Sequence, residues 1–219
     1  NVDIIMARLI KNETVELFGK NATVPFINGC DNSYHPCQIL ADALTILEKF
    51  GTLDVNLMYI GAKNNVFNSH VEFFSKMKKG TLYGLTPLVN ETACGPDFYE
   101  EAKKSGHYIE LDPAMSMEEA KEYANKMDVL YTDTWVDMEF FNNPAYQKQK
   151  EETLAKMMPY QLNGDFTKDS KAIVFHDMPM HVGFEISQDV VDKNLDHILD
   201  EAENRRHAEK AVMYTLLNS

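Results

Sequence analysis

The sequence is poor in cysteine, in positive charge and in long hydrophobic runs. Its three cysteines, Cys30, Cys37 and Cys94, are too few and too irregularly spaced for a disulfide framework or a paired-cysteine zinc site. This favours a reducing compartment, the cytoplasm by default, with an organelle matrix left open. The 219 residues carry 21 Lys and Arg against 34 Asp and Glu, a formal net charge of −13, so the clustered cations that bind nucleic-acid phosphates are missing. No apolar run approaches the roughly 20 residues that cross a bilayer, and we expect neither a nucleic-acid partner nor a membrane partner.

The residues that are present suit a folded α/β protein. Hydrophobic residues make up 44% and charged residues 25% of the chain, and a chain of this length buries roughly 70% of its unfolded surface. Short β-rich segments alternate with amphipathic helical segments from end to end, which predicts a parallel sheet. The predicted strands are 4–8, 24–27, 56–60, 81–85, 108–111, 129–132 and 172–175.

Polar or unusual residues follow the ends of several predicted strands. They are Arg8, Asn28, 61–65, 133–135 and 176–179. Ligands of open α/β sheets bind outside the carboxyl ends of the strands. We therefore predict a binding site at this edge of the sheet.

The segment His35-Pro36-Cys37-Gln38 directly precedes a helical pattern that stops at Gly51. Unpaired N–H groups and the helix dipole make a helix N-terminus favourable for an anion, and Arg8 follows a strand nearby. One interpretation is therefore a site for a phosphate compound. The other is that His35 only caps the helix at the surface, and the spacing alone leaves both open.

Six stretches, in order along the chain, carry a wider resemblance. They are VDIIMARL (2–9), ATVPFINGC (22–30), HPCQILAD (35–42), NNVFNS (64–69), TDTW (132–135) and DEAENRRHAEKAV (200–212). Together they make the sequence resemble the aspartate/ornithine carbamoyltransferase superfamily, most closely its ornithine-type members. The resemblance implies two parallel-sheet α/β domains, of which the N-terminal, carbamoyl-phosphate domain is only partly present in this chain. It also implies a homotrimer.

The resemblance places the carbamoyl-phosphate site on four residues. Arg8 and His35 match positions that hold the carbonyl and phosphate oxygens, and Gln38 matches the position that binds the carbamoyl NH2 group. Arg205 matches an arginine that the last helix contributes to the same pocket. The chemistry agrees with these residue types, because negative charge develops on oxygen during carbamoyl transfer and fixed donors stabilise it. No metal and no cofactor is implied.

The resemblance places the amine acceptor on a second group of positions. These are Asn65, Asp133, Asp137, Met138, Asp177 and Met178. Asp133 and Asp177 join Arg8 and His35 as the predicted catalytic residues.

Two acceptor positions depart from the ornithine-type pattern, which has Ser in place of Asp137 and Cys in place of Asp177. Two carboxylates attract a cationic amine, but they also hold its proton more firmly before it attacks. Asp177 alternatively accepts that proton as a base or orients the amine, and Asp137 alternatively points to solvent. The sequence leaves these alternatives open.

The family's Ser-x-Arg-Thr phosphate loop, expected upstream of the first strand, does not occur in these residues. We expect the chain to be a fragment of a longer protein rather than a natural truncation, because a chain that begins in mid-domain exposes a sheet edge. We divide it into 1–50, the end of the carbamoyl-phosphate domain with an interdomain helix; 51–185, the acceptor domain; and 186–219, a helical segment that returns to the first domain. The acidic stretch 185–203 is interpreted as a solvent-exposed face.

The leading hypothesis is an enzyme that moves the carbamoyl group of carbamoyl phosphate to ornithine or a related basic amine. The alternative is a non-catalytic binding or regulatory subunit that keeps the fold and has lost the chemistry. An aspartate-type acceptor is disfavoured, because added carboxylates repel a dicarboxylate. A Ser-x-Arg-Thr loop in the upstream coding sequence would favour the enzyme over the non-catalytic subunit.

Overall fold

A computed structural model describes residues 1–136 and 140–219, together with the backbone of residues 138 and 139. Its strands are β1 (Ile5–Arg8), β2 (Phe26–Cys30), β3 (Asn56–Lys63), β4 (Thr81–Val89), β5 (Tyr108–Glu110), β6 (Val129–Thr132) and β7 (Ile173–His176). Its helices are α1 (Asn12–Asn21), α2 (Pro36–Phe50), α3 (Asn65–Met77), α4 (Pro96–Lys103), α5 (Met117–Ala124), α6 (Met138–Phe141), α7 (Gln147–Met157), α8 (Gly164–Thr167) and α9 (Gln188–Leu217).

The strands form two parallel sheets. β1 pairs with β2, and the larger sheet has the order β5-β4-β3-β6-β7, with every neighbouring pair parallel. This confirms the predicted parallel-sheet α/β fold, and each predicted strand corresponds to a strand of the structure. Since parallel strands all end in the same direction, the polar residues that follow them gather at one edge of the sheet.

The core lies on both faces of the larger sheet. Along β3, Leu57 and Tyr59 belong to the core of one face, and Met58 and Ile60 belong to the core of the other. All four are fully buried, because successive side chains of a strand point to opposite faces. Helices α3 and α4 cover the first face, and helices α5, α8 and α9 cover the second. Each large apolar side chain buried in this way contributes about 1.5–3 kcal/mol.

Helix α2, which opens at the predicted anion site, has the boundaries that its sequence predicts. Pro36 is its first residue, and His35 stands at the N-cap. Gly51 ends the helix with φ of 70°, and its N–H donates to the Leu47 carbonyl at 2.9 Å. Glycine adopts this left-handed conformation without a steric penalty.

The acidic stretch 185–203 corrects one interpretation. α9 begins at Gln188, and Glu185 and Glu201 are 1% and 0% exposed. The interpretation as a solvent-exposed face is therefore wrong at these two positions, because both carboxyl groups accept hydrogen bonds from buried donors. None of the helices in the described part of the chain combines the length and apolar composition that a membrane span requires.

Candidate functional site

The carboxyl ends of β1, β2, β3, β6 and β7 surround one cavity of about 450 Å³. The predicted site residues in its lining are Arg8, His35, Asn65, Asp133, Asp177 and Met178. Gln38 and Arg205 are not part of the lining. Asp137 and Met138 lie outside the residues whose side chains the structure describes.

His35 is a buried, neutral imidazole in the wall of the cavity. Its backbone N–H donates to the Ser69 hydroxyl at 2.7 Å, which fixes the start of α2. Its Nδ1 atom has no hydrogen-bond partner among the described residues. Burial, together with the nearby Arg205 and Arg8 guanidinium groups, lowers the pKa of His35 to about 3. The imidazole is therefore uncharged at neutral pH.

We expect His35 to make the protein less stable in mild acid. Its folded pKa of about 3 lies below the usual value of 6.5, so its contribution to stability is present above pH 6.5 and is lost as pH falls towards 3. The loss is about 1.4 kcal/mol per pH unit within this window. Urea unfolding between pH 7 and pH 4.5 measures it, and His35→Gln, which does not titrate, should show a shallower decline. His207→Gln, on the exposed side of α9, is the control, and equal slopes for the two variants would contradict the prediction.

Gln38 and Arg205 lie behind this wall and contact each other. The Arg205 guanidinium donates from Nη1 to Oε1 of Gln38 at 2.6 Å. Arg205 also lies 3.6 Å from Glu209 on the same helix. Gln38 and Arg205, both predicted to bind carbamoyl phosphate, are thus neighbours. In this structure, however, the Gln38 side chain hydrogen-bonds to protein groups and does not line the cavity.

Asp133 and Asp177 form a carboxyl pair at the ends of β6 and β7. Asp133 accepts hydrogen bonds from the Asn64 amide at 2.7 Å and from the Thr134 backbone N–H at 2.6 Å. Burial raises the pKa of Asp177 well above its usual range, and the charge of Asp133 and a hydrogen bond between the two carboxyl groups raise it further. Asp177 therefore holds a proton more firmly than an isolated aspartate does.

His176 lies beside this pair, and one of its ring nitrogens is within 4.8 Å of carboxyl oxygens of Asp133 and Asp177. Such a group could hold a metal ion, but both ring nitrogens already have partners. Nδ1 accepts the Met178 backbone N–H at 3.0 Å, and Nε2 donates to Glu185 at 3.2 Å. A metal would have to displace one of these bonds from a fully buried ring. We therefore assign His176 the role of fixing the loop after β7.

Asn64 is a site residue that sequence reasoning missed. Its Oδ1 caps α3 by accepting the Phe67 N–H at 2.9 Å, while its Nδ2 donates to Asp133. An asparagine just before the apolar face of a helix is a recognisable N-cap signal, and it could have identified this residue. Its neighbour Asn65 lines the cavity and donates to the Asp31 carbonyl at 2.8 Å.

Comparison with protein families gives two matches that together cover most of the chain. Residues 1–48 match the aspartate/ornithine carbamoyltransferase carbamoyl-P binding domain. Residues 53–216 match the aspartate/ornithine carbamoyltransferase Asp/Orn binding domain.

Similar proteins and solved structures agree with these matches. The chain is 36% identical to the ornithine carbamoyltransferase of Chlorobaculum tepidum, over 99% of this chain and 61% of that protein. It is 38% identical to that of Pyrococcus horikoshii, over 99% of this chain and 66% of that protein. The structure of ornithine carbamoyltransferase from Pyrococcus furiosus has a TM-score of 0.81 at 35% identity, covering 100% of this chain and 67% of that one. The chain thus spans 61% to 66% of the length of these two relatives.

Proposed function

The chain belongs to the aspartate/ornithine carbamoyltransferase family, and on that premise we propose that the protein transfers the carbamoyl group of carbamoyl phosphate to ornithine or a related basic amine. The products are a ureido compound and phosphate. The observation that carries the proposal is that Arg8, His35 and the Asp133–Asp177 pair line the same cavity. The first two residues suit an anionic donor, and the carboxyl pair suits a cationic acceptor.

Arg8 and His35 stabilise the charge that develops on the donor. The amine attacks the carbamoyl carbon, a tetrahedral oxyanion forms, and the bond to the phosphate oxygen then breaks as phosphate leaves. His35 is neutral because burial lowers its pKa to about 3, so it contributes a fixed hydrogen bond. A fixed donor of this kind is typically worth about 10²–10³ in rate. Gln38 and Arg205 are the further donor-side residues of the proposal.

The acceptor must lose a proton before it attacks. An alkyl amine with a pKa near 10.4 pays about 4–5 kcal/mol for this at pH 7. Asp177 is better suited to accept the proton than an ordinary aspartate, because burial raises its pKa and a general base works best when its pKa lies near the working pH. The two carboxyl groups also attract the ammonium form of the amine. Asp177 is therefore the base of the proposed reaction.

The same carboxyl pair argues for a basic acceptor, because it would repel a dicarboxylate such as aspartate. Asn65, Asp137, Met138 and Met178 remain the proposed acceptor contacts beside it. The non-catalytic alternative draws no support from the relatives described above, each of which is an ornithine carbamoyltransferase by name.

The proposal includes a homotrimer in the cytoplasm and the division of the chain into 1–50, 51–185 and 186–219. The gap between the two family matches, at residues 48 and 53, supports the first boundary. The packing of α9 against α2, where Asn204 donates to Thr45 at 2.9 Å, supports the return of the last segment to the first domain. The trimer follows from the family resemblance, and the location from the scarcity of cysteine.

The test is product formation from carbamoyl phosphate and a panel of amines. In the protein expressed from its complete reading frame, we expect a ureido product with at least one of ornithine, lysine, putrescine and agmatine, because each presents an alkyl ammonium to the carboxyl pair. A colorimetric ureido assay measures it, with aspartate as the control acceptor that should give no product. Sedimentation should give three times the mass of the chain. A folded trimer that is inactive with the whole panel would reject the proposal.

A further inference from the structure

The side-chain amide of Gln38 is held in one orientation by buried groups. Its Nε2 donates to Asp42 at 2.8 Å and to Glu201 at 2.9 Å, while its Oε1 accepts from Arg205 at 2.6 Å. Gln38 is 1% exposed, and Asp42 and Glu201 are fully buried. Since the amide nitrogen meets two acceptors and the amide oxygen meets a donor, rotating the amide by 180° would break all of these bonds at once.

The two carboxyl groups that hold the amide are themselves fixed. The second oxygen of Glu201 accepts the His176 backbone N–H at 2.9 Å, and a backbone group cannot turn away. Burial, the charge of Asp42 and a hydrogen bond to Asp42 raise the pKa of Glu201 well above its usual range. On its far side Asp42 faces Nε2 of His70 at 3.3 Å.

We propose that Glu201, supported by Asp42, is a specificity-determining positioning residue that makes Gln38 present only its carbonyl oxygen to the donor substrate. This inference rests on the proposed function. A carbonyl oxygen can accept a hydrogen bond from the NH2 of a carbamoyl group, but it finds no partner on an acyl group that ends in methyl. A site that leaves such a polar group unpaired rejects the wrong ligand strongly. In this structure the Arg205 guanidinium donates to Oε1 of Gln38. When the NH2 group of the substrate donates to this oxygen instead, the guanidinium is free to bind the phosphate.

Glu201→Gln tests the orientation without changing the size of the side chain. The new amide has one accepting oxygen, and the immovable N–H of His176 competes with Gln38 for it. With its oxygen on His176, the new side chain points its NH2 group at Gln38 and favours the rotated amide. Gln38 would then present its NH2 group to the donor substrate. Two NH2 groups cannot hydrogen-bond to each other in this arrangement, so a carbamoyl group is disfavoured, whereas a methyl group is not affected in this way.

The experiment uses two stable phosphonates that differ only in NH2 against CH3, phosphonoacetamide and 2-oxopropylphosphonate. Calorimetric titration of the protein from its complete reading frame gives a Kd for each. We expect the unchanged protein to bind phosphonoacetamide at least tenfold tighter, in line with the rejection of ligands that leave a polar group unpaired. In Glu201→Gln we expect phosphonoacetamide to weaken by about tenfold or more and 2-oxopropylphosphonate to change by less than about twofold. Glu203→Gln, the same change on the exposed side of α9, should keep both constants.

The ratio of the two constants separates specificity from general damage. A variant that weakens both phosphonates equally, or neither, overturns the role assigned to Glu201. An unchanged protein that binds neither phosphonate rejects the proposed function and this inference together, whereas binding without a preference for the amide rejects the inference alone. If Glu201→Gln does not fold, Glu201→Met decides, because it removes the acceptor without adding a donor. The preference of Glu201→Met for phosphonoacetamide over 2-oxopropylphosphonate should also be smaller than that of the unchanged protein. An unchanged preference overturns the proposal.

Discussion

Replacing Arg8 by alanine is expected to lower kcat/KM for carbamoyl phosphate by about 10²–10³, the typical loss when one fixed donor to a developing oxyanion is removed. Arg8 ends β1 and lines the cavity, and it lies close enough to His35 to help lower the pKa of that imidazole. The loss should appear in the Kd of carbamoyl phosphate, because Arg8 also binds the ground-state donor, and in kcat, because the oxyanion loses a hydrogen-bond donor. At saturating donor the KM of the amine should stay constant, because Arg8 does not contact the acceptor in the proposed arrangement.

Arg206→Ala is the matched control for this measurement. Arg206 lies next to Arg205 on α9, but it is exposed and paired with Glu203. Removing the Arg206 side chain should change kcat/KM for carbamoyl phosphate and KM for the amine by less than about twofold, as expected for an exposed ion pair. Unchanged donor affinity in Arg8→Ala would remove Arg8 from its assigned role, whereas an equal loss in both variants would indicate a long-range charge effect.

Replacing Asp177 by asparagine is expected to lower kcat by about 10²–10⁴, the usual contribution of a general base. Asparagine has nearly the same shape and keeps a hydrogen bond to Asp133, so the loss reports proton transfer rather than packing. The pH profile of kcat/KM should also change, because the group that accepts the proton has been removed. An unchanged kcat and profile would make Asp177 a bystander. Asp169→Asn, at an exposed position, is the control.

The same substitution should stabilise the protein at higher pH. The folded pKa of Asp177 lies above its value in the unfolded chain, so its contribution to stability is fully present below the unfolded pKa, near 3.9, and is lost as pH rises through the folded pKa. Asparagine does not titrate and avoids this loss. The melting temperature of Asp177→Asn relative to the unchanged protein should therefore be higher at pH 8 than at pH 4. A constant difference between the two pH values would contradict the raised pKa.

The regular parts of the fold could be predicted because their signals are local. The alternation of Leu57 and Tyr59 with Met58 and Ile60 looks like an uninterrupted apolar run, which is typical of a parallel strand buried on both faces. Gly51 marks a helix end by its own backbone preference. The buried face of α9 was harder to predict, because Val190 and Val191 lie among acidic residues, and the charges led to the interpretation of 185–203 as a solvent-exposed face.

The site was predictable in its location but only partly in its contacts. Polar residues after strands predicted the edge where Arg8, His35 and Asp133 lie. The bond between Gln38 and Asp42 joins residues four apart on one helix and could have been anticipated. The bond from Gln38 to Glu201 joins residues 163 positions apart, and no local pattern reveals it. Periodicity alone could not show that Glu201 points inward.

The order of strands in the larger sheet fixes the position of the binding groove, whereas the side chains in the groove decide which ligand binds. The connections that follow β3 and β6 run to opposite faces of the sheet: after β3 the chain continues into α3 on one face, and after β6 it reaches α8 on the other. Two connections that diverge in this way leave a groove between them whatever side chains they carry. Asn64 and Asp133 follow those two strands, so the groove is a property of the backbone route. A descendant of this protein could thus acquire a new acceptor by exchanging a few side chains at the groove, with the scaffold left untouched.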